Sequence, residues 1–222
     1  MNHAKEAVRE FWNQAACGED LYLTDTEKAS YATQARTRYA LEPYILDFAR
    51  FPETRGLRVL EIGVGLGADH QQFAEAGADL WGIDLTERAI EHTRRRLAAF
   101  GLNSHLAVGD AEHLDFHDES FDRVYSWGVL HHSPDTPRAI AEVWRVLKRG
   151  GGEHHDLPQA QRDRFHAVAA LRPAGRATLA FLGRYLRPSS RKPWHQSVHG
   201  RRSPSAMRQV CRVPHHHSTH AR

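Results

Sequence analysis

Three glycines at alternate positions, Gly63, Gly65 and Gly67, follow an apolar run at residues 58–62. The run predicts a short buried strand, and residues 66–76 have the apolar spacing of a helix, so the glycines would form a strand-to-helix turn. Glycine permits a tight turn and lets a ligand approach the backbone, and the N–H groups that open the helix add binding capacity. The spacing therefore predicts a ligand-binding turn, and it also satisfies the dinucleotide pattern G-x-G-x-x-(G/A).

An acidic residue ends the next predicted strand. Asp84 follows an apolar run at residues 80–83, and a carboxylate there is placed to accept hydrogen bonds from both hydroxyl groups of a ribose. The glycine turn and Asp84 together predict a nucleoside-binding site, and they leave open which nucleoside binds.

The elements that must position these residues alternate along the chain. Further strands are predicted at residues 105–108 and 121–126, and further helices at residues 86–99 and 136–148. Strands that alternate with helices of ten or more residues are typical of a parallel sheet with helices on both faces. The sequence therefore predicts the α/β class.

Helical material precedes this sheet. Val8, Phe11 and Trp12 have helical spacing, and a second helix is predicted over residues 27–49, with an interruption at Pro43. We expect three parts: a helical cap at 1–55, a ligand-binding core at 56–152, and an atypical tail at 153–222.

Three further motifs follow the glycine turn in order. Residues 109–112 are Gly-Asp-Ala-Glu, residues 121–132 hold the fourth predicted strand with its exit loop, and residues 141–151 end in Lys-Arg-Gly-Gly. Over residues 59–151 the set resembles the class I S-adenosylmethionine-dependent methyltransferases, specifically the type 11 small-molecule group. Arg149 stands where that family usually has a turn proline. The resemblance implies a Rossmann-like, doubly wound parallel sheet and S-adenosyl-L-methionine as cofactor.

The resemblance also implies individual roles. The glycine turn and the acid before it would pack against the methionine and adenosine parts of the cofactor, Asp84 would hold the ribose, and Leu85 would flank the adenine. Asp110 and Ala111 would read the adenine edge, and the residues that end the fourth strand would lie beside the transferable methyl group. The implied cofactor-binding set is Glu61, Gly63, Gly65, Gly67, Asp84, Leu85, Asp110, Ala111, Ser126, Trp127 and Gly128.

His131 and His132 are the candidate catalytic residues, because they lie on the exit loop of the fourth predicted strand. A general base is needed only when the methyl acceptor carries a proton on a hydroxyl, thiol or acidic carbon. The alternative is that the two histidines only shape the loop. We expect no metal site, and we expect the scattered histidines of the first 152 residues to be solvated, namely His3, His70, His92, His105, His113 and His117.

Charge divides the chain sharply. Residues 1–152 hold 17 Lys and Arg against 24 Asp and Glu, whereas residues 153–222 hold 13 against three. No apolar run approaches the about 18 residues that cross a bilayer, so we expect no membrane span. Two cysteines give no disulfide framework, which favours a reducing cytoplasm.

The tail departs from the family, which should continue with a fifth strand, a helix and a closing hairpin. Residues 165–186 could form only a broken helix, and residues 191–222 have no apolar period. Three explanations compete: a basic arm for nucleic acid or membranes, a disordered extension, and translation in a shifted reading frame. We favour the third, because the change falls in mid-domain, and we expect an incomplete sheet after the fourth strand and a poorly ordered tail.

The sequence thus favours an enzyme that transfers a methyl group from S-adenosylmethionine to a small-molecule acceptor. Its activity in this chain is in question because of the altered final third. One alternative is an NAD-dependent Rossmann oxidoreductase. A less favoured alternative is a nucleic-acid-binding protein that uses the basic tail.

Overall fold

The centre of the molecule is a parallel sheet of four strands. This computed structural model describes residues 3–19 and 23–149, and the backbone of residues 166–170. The strands are β1 (Arg58–Ile62), β2 (Asp79–Asp84), β3 (His105–Val108) and β4 (Arg123–Trp127), in the spatial order β3-β2-β1-β4. Strand β1 is central and pairs in parallel with both β2 and β4. The carboxyl ends of all four strands therefore meet at one edge of the sheet.

Helices precede and connect these strands. They are α1 (His3–Gln14), α2 (Lys28–Leu41), α3 (Tyr44–Ala49), α4 (Ala68–Ala76), α5 (Glu87–Phe100) and α6 (Thr136–Val146), with short 3-10 turns at Phe51–Thr54 and Leu130–His132. The predicted interruption at Pro43 is confirmed, since α2 ends two residues before it and α3 begins directly after it. Among the described residues, no helix combines the length and the hydropathy that crossing a membrane requires.

Local chemistry explains where α5 begins and ends. Thr86 precedes the helix and its Oγ1 accepts a hydrogen bond from the Ala89 N–H at 3.3 Å, so one of the unpaired amides of the first turn is satisfied. Gly101 follows the helix with a φ of +69°, the left-handed conformation that glycine adopts without steric cost. Both boundaries agree with the sequence prediction.

The sheet buries apolar side chains on both faces. On one face Leu60, Ile62 and Val124 pack with Val143 and Val146 of α6. On the other face, Val59 and Tyr125 pack in a second cluster with Phe73 of α4 and with Ile45 and Ala49 of α3. Alternate residues of β1 and β4 thus face opposite layers, which confirms the Rossmann-like α/β class.

Strand β4 is not an edge of the sheet, because a further strand covers it. Strand β5 (His166–Ala170) runs antiparallel along β4, with Tyr125 opposite Val168. The apolar residues 167–170 are extended, and their backbone pairs with the N–H and C=O groups along the outer side of β4. Left unpaired, those groups would be open to pairing with another chain. The broken helix expected over 165–186 is therefore wrong at 166–170. The rest of 153–222, and its expected disorder, lies outside the described residues.

Candidate functional site

The glycine turn and the acid that ends β2 lie together, as the sequence predicted. Gly63 N–H donates to the Ile83 carbonyl at 2.7 Å, which holds the start of the turn against β2. Gly65 N–H donates to Asp84 Oδ2 at 3.2 Å. The turn after β1 and the end of β2 therefore form one backbone surface at the carboxyl edge of the sheet.

The glycines of this edge fall into two groups. A Cβ atom at Gly63 would lie 2.1 Å from Val129 Cγ2, and a Cβ at Gly67 would lie 2.9 Å from Thr93 Oγ1, so packing requires glycine at both positions. At Gly65 and Gly128, by contrast, a Cβ would meet nothing within 4 Å. Open space lies beside these two glycines, where the cofactor was predicted to approach.

Asp84 already makes several hydrogen bonds. Its Oδ1 accepts from Thr86 N–H at 3.0 Å and from Thr86 Oγ1 at 2.9 Å, in addition to the bond from Gly65. Burial raises the pKa of Asp84, and these donors act against the rise. The Leu85 N–H also donates to this carboxylate. A carboxylate offers about four acceptor positions, so a ligand hydroxyl must replace one of these donors. Leu85, between Asp84 and Thr86, is half-buried.

A cation that the sequence analysis did not select lies at the loop after β3. The ammonium group of Lys5, on α1, lies 2.6 Å from Asp110 Oδ2 and 2.5 Å from Glu112 Oε2. Burial acts to lower the pKa of Lys5, but hydrogen bonds to the two carboxylates prevail and raise it. Residues 110, 112 and 113 have the donor atoms for a metal ion, yet an ammonium group already neutralises two of them. Ala111 packs against the core beside them.

Glu112 also binds the loop after β4. Its Oε1 accepts a short hydrogen bond from the Ser133 hydroxyl and another from Asp135 N–H at 2.9 Å. Burial acts to raise the pKa of Glu112, but the donors from Lys5 and Ser133 lower it. One carboxylate therefore joins α1, the loop after β3 and the loop after β4.

The two candidate catalytic histidines lie on the 3-10 turn that follows β4. Their ring centroids are 3.9 Å apart, with His131 exposed and His132 half-buried. The ring of Trp12, on α1, lies 5.6 Å from that of His132. Lys5 and Trp12 are seven positions apart, about two helical turns, so one face of α1 contacts both loops. The catalytic role of the histidines stays a prediction.

Ser126 and Trp127, at the end of β4, point into the fold. The Ser126 hydroxyl is buried and donates to the Ile62 carbonyl at 3.0 Å. The Trp127 ring lies 5.2 Å from Phe48 and 5.6 Å from Tyr44, both on α3. The Ser126 side chain thus ties β4 to β1, and Trp127 connects the end of β4 with the helices that precede the sheet.

The expectation that His70 is solvated is wrong. His70 lies on α4 and is fully buried; its Nδ1 is 2.8 Å from Glu61 Oε2 and its Nε2 is 2.7 Å from Ser104 Oγ. The face of α4 that packs on the sheet carries this histidine, which periodicity alone did not distinguish from an exposed position. His92 is also largely buried, and its Nε2 lies 3.0 Å from Glu19 Oε1.

A buried carboxylate that sequence reasoning missed opens α4. Asp69 accepts hydrogen bonds from Arg38 Nη2 at 2.6 Å, from the Tyr39 hydroxyl at 3.0 Å and from the Tyr125 hydroxyl at 2.8 Å. Burial acts to raise the pKa of Asp69, but the Arg38 guanidinium lowers it. The sequence signal for this carboxylate was its position, because an acidic residue stands in the first turn of the helix that follows the glycines. The network fixes α2 against the start of α4.

Residues 59–151 match the family described as methyltransferase domain. Methyltransferase GfsG of Streptomyces halstedii is 32% identical over 107 residues, which are 47% of this chain and 38% of that protein. The phosphatidylethanolamine N-methyltransferase of Cereibacter sphaeroides is 35% identical over 99 residues, which are 44% of this chain and 48% of that protein.

A third relative is the phthiotriol/phenolphthiotriol dimycocerosates methyltransferase 1 of Mycobacterium ulcerans. It is 42% identical over 101 residues, which are 45% of this chain and 36% of that protein. The chain therefore spans less than half the length of each of these relatives. The family match over residues 59–151 includes the glycine turn and Asp84.

Proposed function

We propose that the chain, whose residues 59–151 match the methyltransferase domain family, binds S-adenosylmethionine and transfers its methyl group to a small-molecule acceptor. The observation that carries this proposal is the open space beside Gly65, next to the carboxylate of Asp84. A nucleoside can approach the backbone there and meet an acceptor for its ribose hydroxyls.

The residues of this edge fit the cofactor. Asp84 can accept a ribose hydroxyl when the bond from Gly65 N–H is released, since at 3.2 Å this bond is longer than the two bonds from Thr86. Gly128, which follows β4, also has open space beside it. Glu61, before the turn, would face the amino-acid part of the cofactor.

The charge of the edge supports a cationic ligand. Four acidic side chains, Glu61, Asp84, Asp110 and Glu112, lie at the ends of β1 and β2 and in the loop after β3, and Lys5 pairs with the last two. A sulfonium cation is attracted by such an excess of carboxyl groups, whereas the pyrophosphate of a dinucleotide would be repelled. This difference favours S-adenosylmethionine over NAD.

Bound S-adenosylmethionine supplies an electrophilic methyl group, so the protein is needed mainly to position the acceptor and exclude water. Holding the two reactants in the correct geometry lowers the activation barrier by about 7–11 kcal/mol in favourable cases. Helix α1, held by Lys5, would cover the opening, and Trp12 would give the acceptor side an apolar wall. His131 or His132 would accept the proton of a hydroxyl or thiol acceptor.

Equilibrium binding tests the proposal. In calorimetry, S-adenosylhomocysteine should bind the full chain with micromolar affinity, and NAD should not compete with it. Transfer of a radiolabelled methyl group to small molecules of several classes would then identify the acceptor. Binding of NAD in place of S-adenosylhomocysteine would refute the proposal.

A further inference from the structure

His70 and Glu61 stand on opposite sides of the glycine turn. Glu61 lies two residues before Gly63, and His70 lies three residues after Gly67. The contact of 2.8 Å between His70 Nδ1 and Glu61 Oε2 therefore joins the strand that enters the turn to the helix that leaves it. Both side chains are almost completely buried, so the contact is not exchanged for one with water.

The surroundings of His70 fit an imidazole. Beneath it is Gly82 of β2, where a Cβ atom would lie 2.5 Å from His70 Cε1. On its other side, Ser104 Oγ lies 2.7 Å from Nε2. The missing side chain at Gly82 gives the ring its space, and contacts at both ring nitrogens fix the ring orientation.

Burial keeps the imidazole of His70 neutral, since it lowers the pKa of His70 to about 3. Burial also raises the pKa of Glu61, and the neighbouring carboxylates of Asp69 and Asp84 raise it further against the opposing effect of Arg38. A neutral imidazole has one N–H donor and one acceptor nitrogen. One ring can therefore contact Glu61 through Nδ1 and Ser104 through Nε2 at the same time.

We propose that His70 is a positioning residue that holds the carboxyl group of Glu61 at the glycine turn, where Glu61 receives the ammonium group of the cofactor's amino-acid part. This inference rests on the proposed function. A glutamate side chain has several rotatable bonds, and fixing it before the ligand arrives removes an entropic cost from binding. His70 therefore acts on the cofactor only through Glu61.

Two ligands distinguish this role from simple packing. S-adenosylhomocysteine carries the amino-acid part, whereas 5′-methylthioadenosine has the same nucleoside without it. In calorimetry with the full chain, His70→Leu should weaken binding of S-adenosylhomocysteine at least tenfold and change that of 5′-methylthioadenosine less than twofold. His117→Leu, at an exposed histidine before β4, is the matched control and should change neither affinity.

Two conservative variants keep the test valid if His70→Leu fails to fold. Asparagine places an amide near the position of Nδ1, and glutamine places one near the position of Nε2. His70→Asn should retain the S-adenosylhomocysteine affinity within threefold, and His70→Gln should lose about tenfold. Equal effects of the two changes, equal losses for both ligands, or no loss with His70→Leu would each overturn the proposal.

The proposed function and this inference fail in different ways. If the unmodified protein binds neither nucleoside, the proposed function is refuted and the inference falls with it. If the unmodified protein binds both and the His70 variants lose both equally, the proposed function stands and His70 has only a packing role.

Discussion

The ammonium group of Lys5 lies 2.6 Å from a carboxylate oxygen of Asp110, a residue 105 positions further along the chain. The same ammonium group contacts Glu112, and the Lys5 side chain is only 8% exposed. The first helix is therefore fastened by charge to the loop that was predicted to read adenine. Loss of that charge would affect both the docking of α1 and the coverage of the site.

Lys5→Ala should release α1. The change leaves Asp110 and Glu112 without their cation, and an unsatisfied buried partner costs about 1–3 kcal/mol. We expect lower stability in urea unfolding, faster trypsin cleavage at Arg9 within α1, and weaker binding of S-adenosylhomocysteine. Lys5→Arg should restore most of these properties. Glu10→Ala, at an exposed position of α1, is the control, and equal behaviour of the two alanine variants would contradict the docking role.

Gly65→Val should abolish cofactor binding while the protein still folds. A Cβ at Gly65 meets no protein atom within 4 Å, so the branched side chain would occupy the space that the ligand needs. The positive φ of +52° adds backbone strain of about 1–2 kcal/mol.

Gly101→Val is the matched control for that strain. Gly101 has a φ of +69° and equally open surroundings, and it lies at the end of α5. Its variant should lose similar stability in thermal unfolding and keep its affinity in calorimetry. If Gly65→Val binds S-adenosylhomocysteine as tightly as Gly101→Val does, the cofactor does not lie over Gly65.

Asp84→Ala should weaken binding of S-adenosylmethionine more than tenfold. The change removes the charged acceptor for the ribose, and it also leaves Gly65 N–H without its partner. Asp79→Ala, at the exposed start of the same strand, should leave the affinity unchanged. Unchanged calorimetric affinity in Asp84→Ala would remove this residue from the site.

The burial of His70 should make stability depend on pH. Its pKa is about 3 in the folded chain against 6.5 as the ordinary value, so below pH 6.5 the unfolded chain binds a proton that the folded chain does not. The contribution of the neutral, buried His70 to the free energy of unfolding is complete above pH 6.5 and is lost as the pH falls towards 3. At pH 5 the loss amounts to about 2 kcal/mol.

The comparison with His70→Leu isolates this effect. Because the variant has no imidazole to protonate, the stability difference between the two proteins in urea unfolding should shrink between pH 7.5 and pH 5. A difference that stays constant over this range would show that His70 is not held neutral in the folded protein.

The family match ends at residue 151, and the strongly basic composition begins at residue 153. We propose that residues 153–222 come from a shifted reading frame. The coding DNA around codons 148–156 should then contain a second open frame that encodes a strand followed by a helix. Expression in that frame should raise soluble yield and methyl transfer, and absence of such a frame would exclude the idea.

The arrangement of glycines, strands and helices could be predicted from the sequence, because each depends on neighbouring residues. The cap at Thr86 and the interruption at Pro43 are local features of this kind. The approach of Gly65 to Asp84 also followed, since the ends of adjacent parallel strands meet at one edge.

Contacts between distant segments could not be predicted in this way. Nothing near Lys5 indicates that its partner is Asp110, and nothing near His70 shows that Gly82 leaves space for it. The pairing of residues 166–170 with β4 likewise depends on an edge that another part of the chain provides. Such contacts depend on the packing of the whole fold, which a single sequence does not reveal.

The absence of a side chain at Gly82 has a consequence for how sequences with this arrangement can vary. Any larger residue there would meet the His70 ring, which has no room to retreat because Glu61 and Ser104 hold both of its nitrogens. An alanine at position 82 would therefore need a smaller residue at position 70, and it would also displace Val64 Cγ1 at 2.7 Å and Leu106 Cδ2 at 2.9 Å. Across related sequences, the two positions are expected to change as a pair, and an aligned set that combines histidine with a bulky residue would mark a different arrangement of the turn.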